Sequence, residues 1–316
     1  MTERHPERRL DPRKIQIGVL TSLLVLGEYF LGFGLNASFV AAAFVTALLT
    51  EFVAFAVSFG RGLPKPQSSE GFLDLIGRFY ASGGYKSASI TALSTSLLLR
   101  GEFWVAVLAC GCAIVSKRLI NLSVLSAFTG STHRRHFFNP ANLGIVAALY
   151  FGGGWITPGQ WGRHFLLVAF LLCLGWMVTQ RVKTIDITLS FLGTYAAILV
   201  TRALWLGDPL TLPMHAMSSG AVLLFAFFMI SDPKTVPRRR IGRIIHGSLV
   251  ALFAAYIRFF EYRSDGMIWG LFALAPLVPV LDILLERLFS AAAAAPRLKS
   301  STPVFRWPDE IIPSQT

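Results

Sequence analysis

Between residues 15 and 289 the chain enters an apolar stretch ten times, at residues 15–33, 37–59, 87–99, 103–116, 141–153, 164–180, 185–204, 217–231, 244–260 and 267–289. No soluble core is thick enough to hide that many. A bilayer takes about 20 apolar residues per helical crossing. Within hydrocarbon, only helices and closed barrels satisfy every backbone N–H and C=O. The remaining composition agrees: 54% of residues are hydrophobic, 15% are charged, and the mean hydropathy is +0.59. A soluble domain carries roughly a quarter charged residues. The expected fold is an all-α integral membrane protein with about ten transmembrane helices.

The formal net charge of +12 invites a nucleic-acid reading, but its distribution points elsewhere. With ten crossings, all but five of the 29 Lys and Arg fall on one side; the exceptions are Arg100, Arg163, Arg202, Arg258 and Arg263. That is the positive-inside bias, and it puts both termini in the cytoplasm. Adding or removing one crossing destroys the asymmetry. The expected location is the bacterial cytoplasmic (inner) membrane, the expected environment is the lipid bilayer, and no nucleic-acid partner is expected.

The basic arm 1–14 precedes the run IQIGVLTSLLVLGEYFLGF, which is long enough to span and reads as a first crossing rather than a cleaved leader. Residues 15–289 form the membrane domain, and residues 290–316 a cytoplasmic tail. Within the loop 60–86, GFLDLIGRFY (71–80) spaces Phe72, Leu75, Ile76 and Phe79 for a short helix on the membrane surface. Cys110, Cys112 and Cys173 fall inside crossings and are expected to be buried, unreactive thiols.

Two segments are too short to span. SASITALSTSLLL (87–99) stops at Arg100, and SSGAVLLFAFFMI (218–230) stops at Ser231-Asp232-Pro233. They occupy equivalent places if 15–155 and 160–289 are two halves of five helices each. An odd number of crossings per half makes such repeats inverted. Short or broken helices at matching positions of two halves point to a site near the middle of the membrane.

The stretch HFFNPANLGI (136–145) places two carboxamides around a proline at the foot of a crossing. Pro140 suits the first turn of a helix, and Asn139 suits its N-cap. Capping leaves Asn142 unexplained, as it does His133, Arg134, Arg135 and His136 upstream. A helix N-terminus with two carboxamides can also hold a polar ring edge or an anion. Ser87, Thr91, Ser94 and Thr95 share one helix face. Such a face either packs helices together or walls a polar ligand. Glu28, Glu51 and Asp282 lie inside crossings, where an ionisable group marks an ion path or a structural pair. No P-loop, dinucleotide fingerprint, HExxH or CxxC is present.

Several stretches together give the chain a family likeness: DPRKIQIGVLTSLL, SASITALSTSLLL, AIVSKRLI, HFFNPANLGIV, LLFAFFMISDPKTVPRRRIGR and PLVPVLDIL. The chain resembles the membrane component shared by two redox pumps: the D-type subunit of the Rnf-type electron-transport complex and its B-type counterpart in the sodium-translocating NADH:quinone reductase. The resemblance implies ten helices in two inverted halves, bound flavin, electron transfer coupled to Na+ or H+ movement, and partner subunits of a membrane redox complex. It makes Asn139, Asn142, Ser87, Thr91, Thr95 and Lys117 the candidate flavin ligands, and Glu51, Glu28 and Asp232 the candidate ion path. The family's covalent FMN is carried on the threonine of an S-G-A-T motif, which this chain lacks. Its nearest string, SSGAV, has Val222 in the threonine's place, and valine forms no ester. The expected cofactor is therefore non-covalent riboflavin or FMN. The competing expectation is a protein that kept the fold without the redox chemistry, either a transporter or a membrane subunit that docks a partner.

Overall fold

A computed structural model describes residues 11–62, 72–119, 136–157 and 165–294 of the chain. The basic stretch His133–Arg135 lies outside the described residues. Among the described residues thirteen α-helices are seen, and each of the ten apolar segments falls on one of them or on a bent pair.

The first half holds α1 (Pro12–Leu31), α2 (Ala37–Gly62), α3 (Phe72–Ser82), α4 (Gly84–Leu98), α5 (Phe103–Leu119) and α6 (Pro140–Phe151). Asp11 caps α1, accepting from Arg13 N at 3.0 Å, with Pro12 in the first turn. The amphipathic α3 falls where the spacing predicts a short helix. Its Phe79 ring packs edge-on against Phe52 and Phe55 of α2, with centroids 5.4 and 5.6 Å apart. α4 and α6 have only 15 and 12 residues. Beyond them, Leu99–Arg100 pairs antiparallel with Trp155–Ile156, which satisfies backbone that the short helices leave open.

The second half holds α7 (Phe165–Val182), α8 (Ile185–Leu206), α9 (Thr211–Met217), α10 (Gly220–Leu224), α11 (Arg240–Phe260), α12 (Gly266–Leu274) and α13 (Leu277–Ala294). A π turn, Phe225–Met229, continues α10. By length and apolarity α2, α8 and α11 can each cross a membrane alone, and two bent pairs raise the number to five. α9 and α10 with its π turn meet at 48°, and α12 and α13 at 51°. The first bend is the broken segment expected near residue 218. The second falls at Pro276, inside a segment expected to be continuous. Proline there removes a helical N–H and clashes with the preceding turn.

Helix packing repeats between the halves. α2 packs on α5 and α5 on α6; α8 packs on α11 and α11 on α12. Each half uses glycine to bring its last pair together. A Cβ on Gly144 of α6 would strike the Ala109 carbonyl oxygen of α5, and one on Gly266 of α12 would lie 2.7 Å from the Ala254 carbonyl oxygen of α11. Small residues at contact points let membrane helices approach closely. The halves meet where α1 contacts α7 and α6 contacts α12, the first crossing against the first and the fifth against the fifth. Of the three thiols, Cys110 is buried as expected, whereas Cys112 is half-buried and Cys173 lies on an outward face of α7.

Candidate functional site: a cavity at the basic end of the bundle

The starts of α1, α4 and α6 and the inner ends of α2, α5, α7 and the π turn surround a cavity of about 790 Å³. Small-molecule sites run to roughly 300–1,000 Å³. Its apolar walls include Ile90, Val178, Phe227 and Phe228, and its polar residues include Glu51, Ser87, Thr91, Lys117, His136 and Asn139.

The two asparagines are construction members of this cavity. Asn139 Oδ1 accepts from Asn142 N at 3.1 Å and caps α6. Its Nδ2 donates to the Met229 carbonyl at 3.0 Å, tying α6 to the π turn of the other half. Asn142 stands behind the wall. Its Nδ2 donates to the Ile268 carbonyl of α12 at 3.0 Å and lies 3.7 Å from Met229 Sδ. Thr188 of α8 anchors the π turn by donating to the Ala226 carbonyl at 2.7 Å. A π turn leaves carbonyls without their usual helical partners, and these side chains supply replacements.

Glu51 is 2% exposed. Its Oε1 accepts from Lys117 Nζ at 2.9 Å and Arg118 Nη2 at 2.8 Å. Lys117 Nζ also donates to Ser87 Oγ at 3.1 Å. Glu51 Oε2 is buried with no hydrogen-bond partner among the described residues. At the rim, Lys86 holds Asp11 at 2.7 Å; the hydrogen bond from Lys86 keeps the Asp11 carboxyl below its usual range. Burial, and then the charges of Lys234 and Lys117, push the His136 imidazole down to about 4. Burial raises the Asp232 carboxyl, against the N–H and charge of Lys234.

Six of the nine candidate residues therefore line one cavity: Asn139, Ser87, Thr91, Lys117, Glu51 and Asp232. Asn142 supports its wall from behind. Thr95 is fully buried on α4 and does not line it. Glu28 lies near the far end of α1, where its Oε2 accepts from Leu35 N at 2.9 Å. Asp282 accepts from Arg238 N at 2.8 Å. Sequence patterns do not mark Arg118 or the π turn, although AIVSKRLI and LLFAFFMISDP contain them. The SSGAV string lies in α10 with Val222 buried. Among the described residues no group of three or more His, Cys, Asp or Glu converges as a metal site does.

The fold and cavity together define a multi-pass, all-α membrane protein with a polar chamber at the basic end of its bundle. A family comparison matches residues 14–289 to the NQR2, RnfD, RnfE family, and the chain belongs to that family. It is 31% identical over 159 residues to the D-type subunit of the ion-translocating oxidoreductase complex of Citrobacter koseri, a match covering 50% of this chain and 43% of the relative. It is 33% identical over 138 residues to the protein of the same name from Escherichia coli O81, covering 44% and 37%. The matched stretches thus span less than half of these relatives.

Proposed function

We propose that this chain is a membrane subunit of an electron-transfer complex and holds a non-covalent flavin, riboflavin or FMN, in the cavity at its basic end. One observation carries the reading. The two motif stretches of the family resemblance, HFFNPANLGI and LLFAFFMISDP, come from opposite halves and build adjoining walls of a single cavity, joined by Asn139 and Met229. The residues fit the group: Phe227 and Phe228 offer apolar lining, Ser87 and Thr91 offer hydroxyls, and Glu51 Oε2 is a buried acceptor without a donor among the described residues. A bound flavin would supply one- and two-electron redox chemistry. The protein's own residues fix the chamber, exclude water and set its charge.

By likeness to relatives named as subunits of an ion-translocating oxidoreductase complex, the partners are other subunits of such a complex, and Na+ or H+ movement accompanies electron transfer. The location is the bacterial inner membrane, with both termini cytoplasmic. The transporter reading draws on the two bent helix pairs, which resemble the interrupted helices of transporter sites.

The deciding experiment is a visible spectrum of the purified protein, followed by acid precipitation. Flavin released to the supernatant is the expected result. Flavin retained in the pellet overturns non-covalent binding. Its absence from both fractions, with solute uptake in proteoliposomes, transfers the function to transport. Asn142→Ala removes the strut between α6 and α12, and it is expected to release flavin while the protein stays in the membrane. Unchanged flavin content in that variant removes the asparagine from the site.

A further inference from the structure

We propose a second polar site, separate from the cavity: the imidazole of His246 binds a proton, and the backbone carbonyls opened at the bend between α12 and α13 hold the resulting cation. The site stands independently of what the cavity holds.

The imidazole is the first support. His246 lies on α11 and is 1% exposed. Neither of its ring nitrogens has a hydrogen-bond partner among the described residues. A neutral imidazole carries one N–H and one bare nitrogen, so a donor and an acceptor are both buried unmet. Such groups are costly away from water, and an ionisable side chain inside a crossing is a candidate ion or proton site. His246 is not among the residues that line the cavity.

The backbone it faces is the second. Gly242, one turn before His246, packs against α13: a Cβ there would lie 3.0 Å from Leu285 Cδ1. Val250, one turn after it, packs against α12: its carbonyl oxygen lies 3.2 Å from a Cβ built on Gly270. Residues four apart share a helix face. His246 therefore stands between these contacts, at the level where α12 gives way to α13. The two helices meet there at 51°, and Pro276 brings no N–H to the ladder. Ala275 N donates to the Phe272 carbonyl at 3.3 Å, and Val278 N to the Ala275 carbonyl at 3.1 Å. Each bond reaches back three residues instead of four, so the Leu271 and Leu274 carbonyls forgo their usual helical donors. They are acceptors at a helix C-terminus, the end that favours a cation. Carbonyls at interrupted helices are where membrane proteins hold Na+ and H+.

The imidazole selects the proton. A proton from water bonds to its bare nitrogen, and the imidazolium then has two N–H donors for two carbonyls. Return of the proton to water reverses the step. The charged groups at this end of the surrounding elements are Asp186 of α8, Arg240 and Arg243 of α11, and Asp282, Glu286 and Arg287 of α13, with Asp232, Lys234, Arg238 and Arg239 on the link before α11; α12 carries none. Asp186 is held by Arg243 at 2.6 Å. Asp282 accepts from Arg238 N at 2.8 Å, and Glu286 from Arg238 Nη1 at 3.3 Å. None of these groups bonds His246, which leaves the carbonyls as its acceptors.

The test uses the full-length protein in lipid bilayers, isotope-labelled at the histidine ring nitrogens, and follows them by NMR as pH is stepped. The His246 signal is identified twice: it disappears in His246→Gln, and it alone remains when the other five histidines are replaced by glutamine. It is expected to change reversibly from imidazole to imidazolium between about pH 8 and pH 5. Pro276→Ala returns an N–H to the ladder and is expected to weaken proton binding about tenfold, the effect of one charge-assisted hydrogen bond. An imidazole that stays neutral at every pH at which the protein is folded overturns the site. Titration that Pro276→Ala leaves unchanged removes the carbonyls from it and overturns the seat at the bend. A midpoint displaced by Na+ at constant ionic strength assigns the bend to a metal cation and overturns the proton as its occupant.

Discussion

Glu51 shows how a buried carboxylate is tolerated in this bundle. It sits deep in α2 with two cations on one oxygen, and they differ in burial: the Lys117 side chain is 13% exposed and that of Arg118 is 36% exposed. Breaking a buried pair leaves an uncompensated charge and costs about 3–5 kcal/mol, whereas a solvated pair contributes about 0–1 kcal/mol. Lys117→Met leaves Glu51 paired with Arg118 and removes one buried charge-assisted hydrogen bond, so it should destabilise the protein by about 2 kcal/mol, and Arg118→Gln by about 1 kcal/mol or less. Thermal unfolding in detergent reads the order; equal losses would show that the two cations are equally solvated. His136 supplies a pH signature. Its folded value of about 4 lies below the ordinary 6.5, so the unfolded chain binds the proton more readily across that interval. Stability from this group is complete above about pH 6.5 and falls as pH drops toward about 4. His136→Gln should flatten the melting temperature against pH over that window. An unchanged slope would assign the acid sensitivity to other groups.

At the scale of elements, close approach between helices is set by glycine. Gly144 faces the backbone of α5, and a Cβ would strike the Ala109 carbonyl oxygen rather than a movable side chain. Gly144→Val should force α5 and α6 apart at a cost of about 1–3 kcal/mol or more, seen as a lowered melting temperature and weakened flavin retention. A variant with wild-type stability would mean that α6 can shift without loss. Residue order alone reveals much at this scale. Apolar run length locates all ten helical segments, and the Asn-Pro pair locates the start of α6, because both signals are local. The π turn has no comparable mark, since its carbonyls are satisfied by Thr188, 38 residues away, and by Asn139, 90 residues away. The role of Asn142 is hidden for the same reason: its partner, the Ile268 carbonyl, is 126 residues distant. A buried Glu51 needs a partner, but only the fold selects Lys117 and Arg118. The bend between α12 and α13 does have a local signal in Pro276, masked by the apolar run around it.

For the whole molecule, the cavity and the charge asymmetry report the same geometry. The starts of α1, α4 and α6 and the ends of α2, α5 and α7 border one chamber, as they must if successive crossings alternate direction. At the opposite end, Leu99–Arg100 pairs with Trp155–Ile156, joining two of the loops on the side poor in Lys and Arg. Lys and Arg are held back from translocation, and on the proposed orientation the chamber opens to the cytoplasm and the β pair faces outward. A cysteine introduced at Trp155, which is 59% exposed, should react in intact cells with a membrane-impermeant maleimide in a variant whose three native cysteines are replaced by serine. A cysteine at Lys234 should react only after the membrane is opened. Labelling of Lys234→Cys in sealed cells would invert the protein in the membrane, place the chamber on the outer face, and overturn the proposed cytoplasmic orientation of both termini.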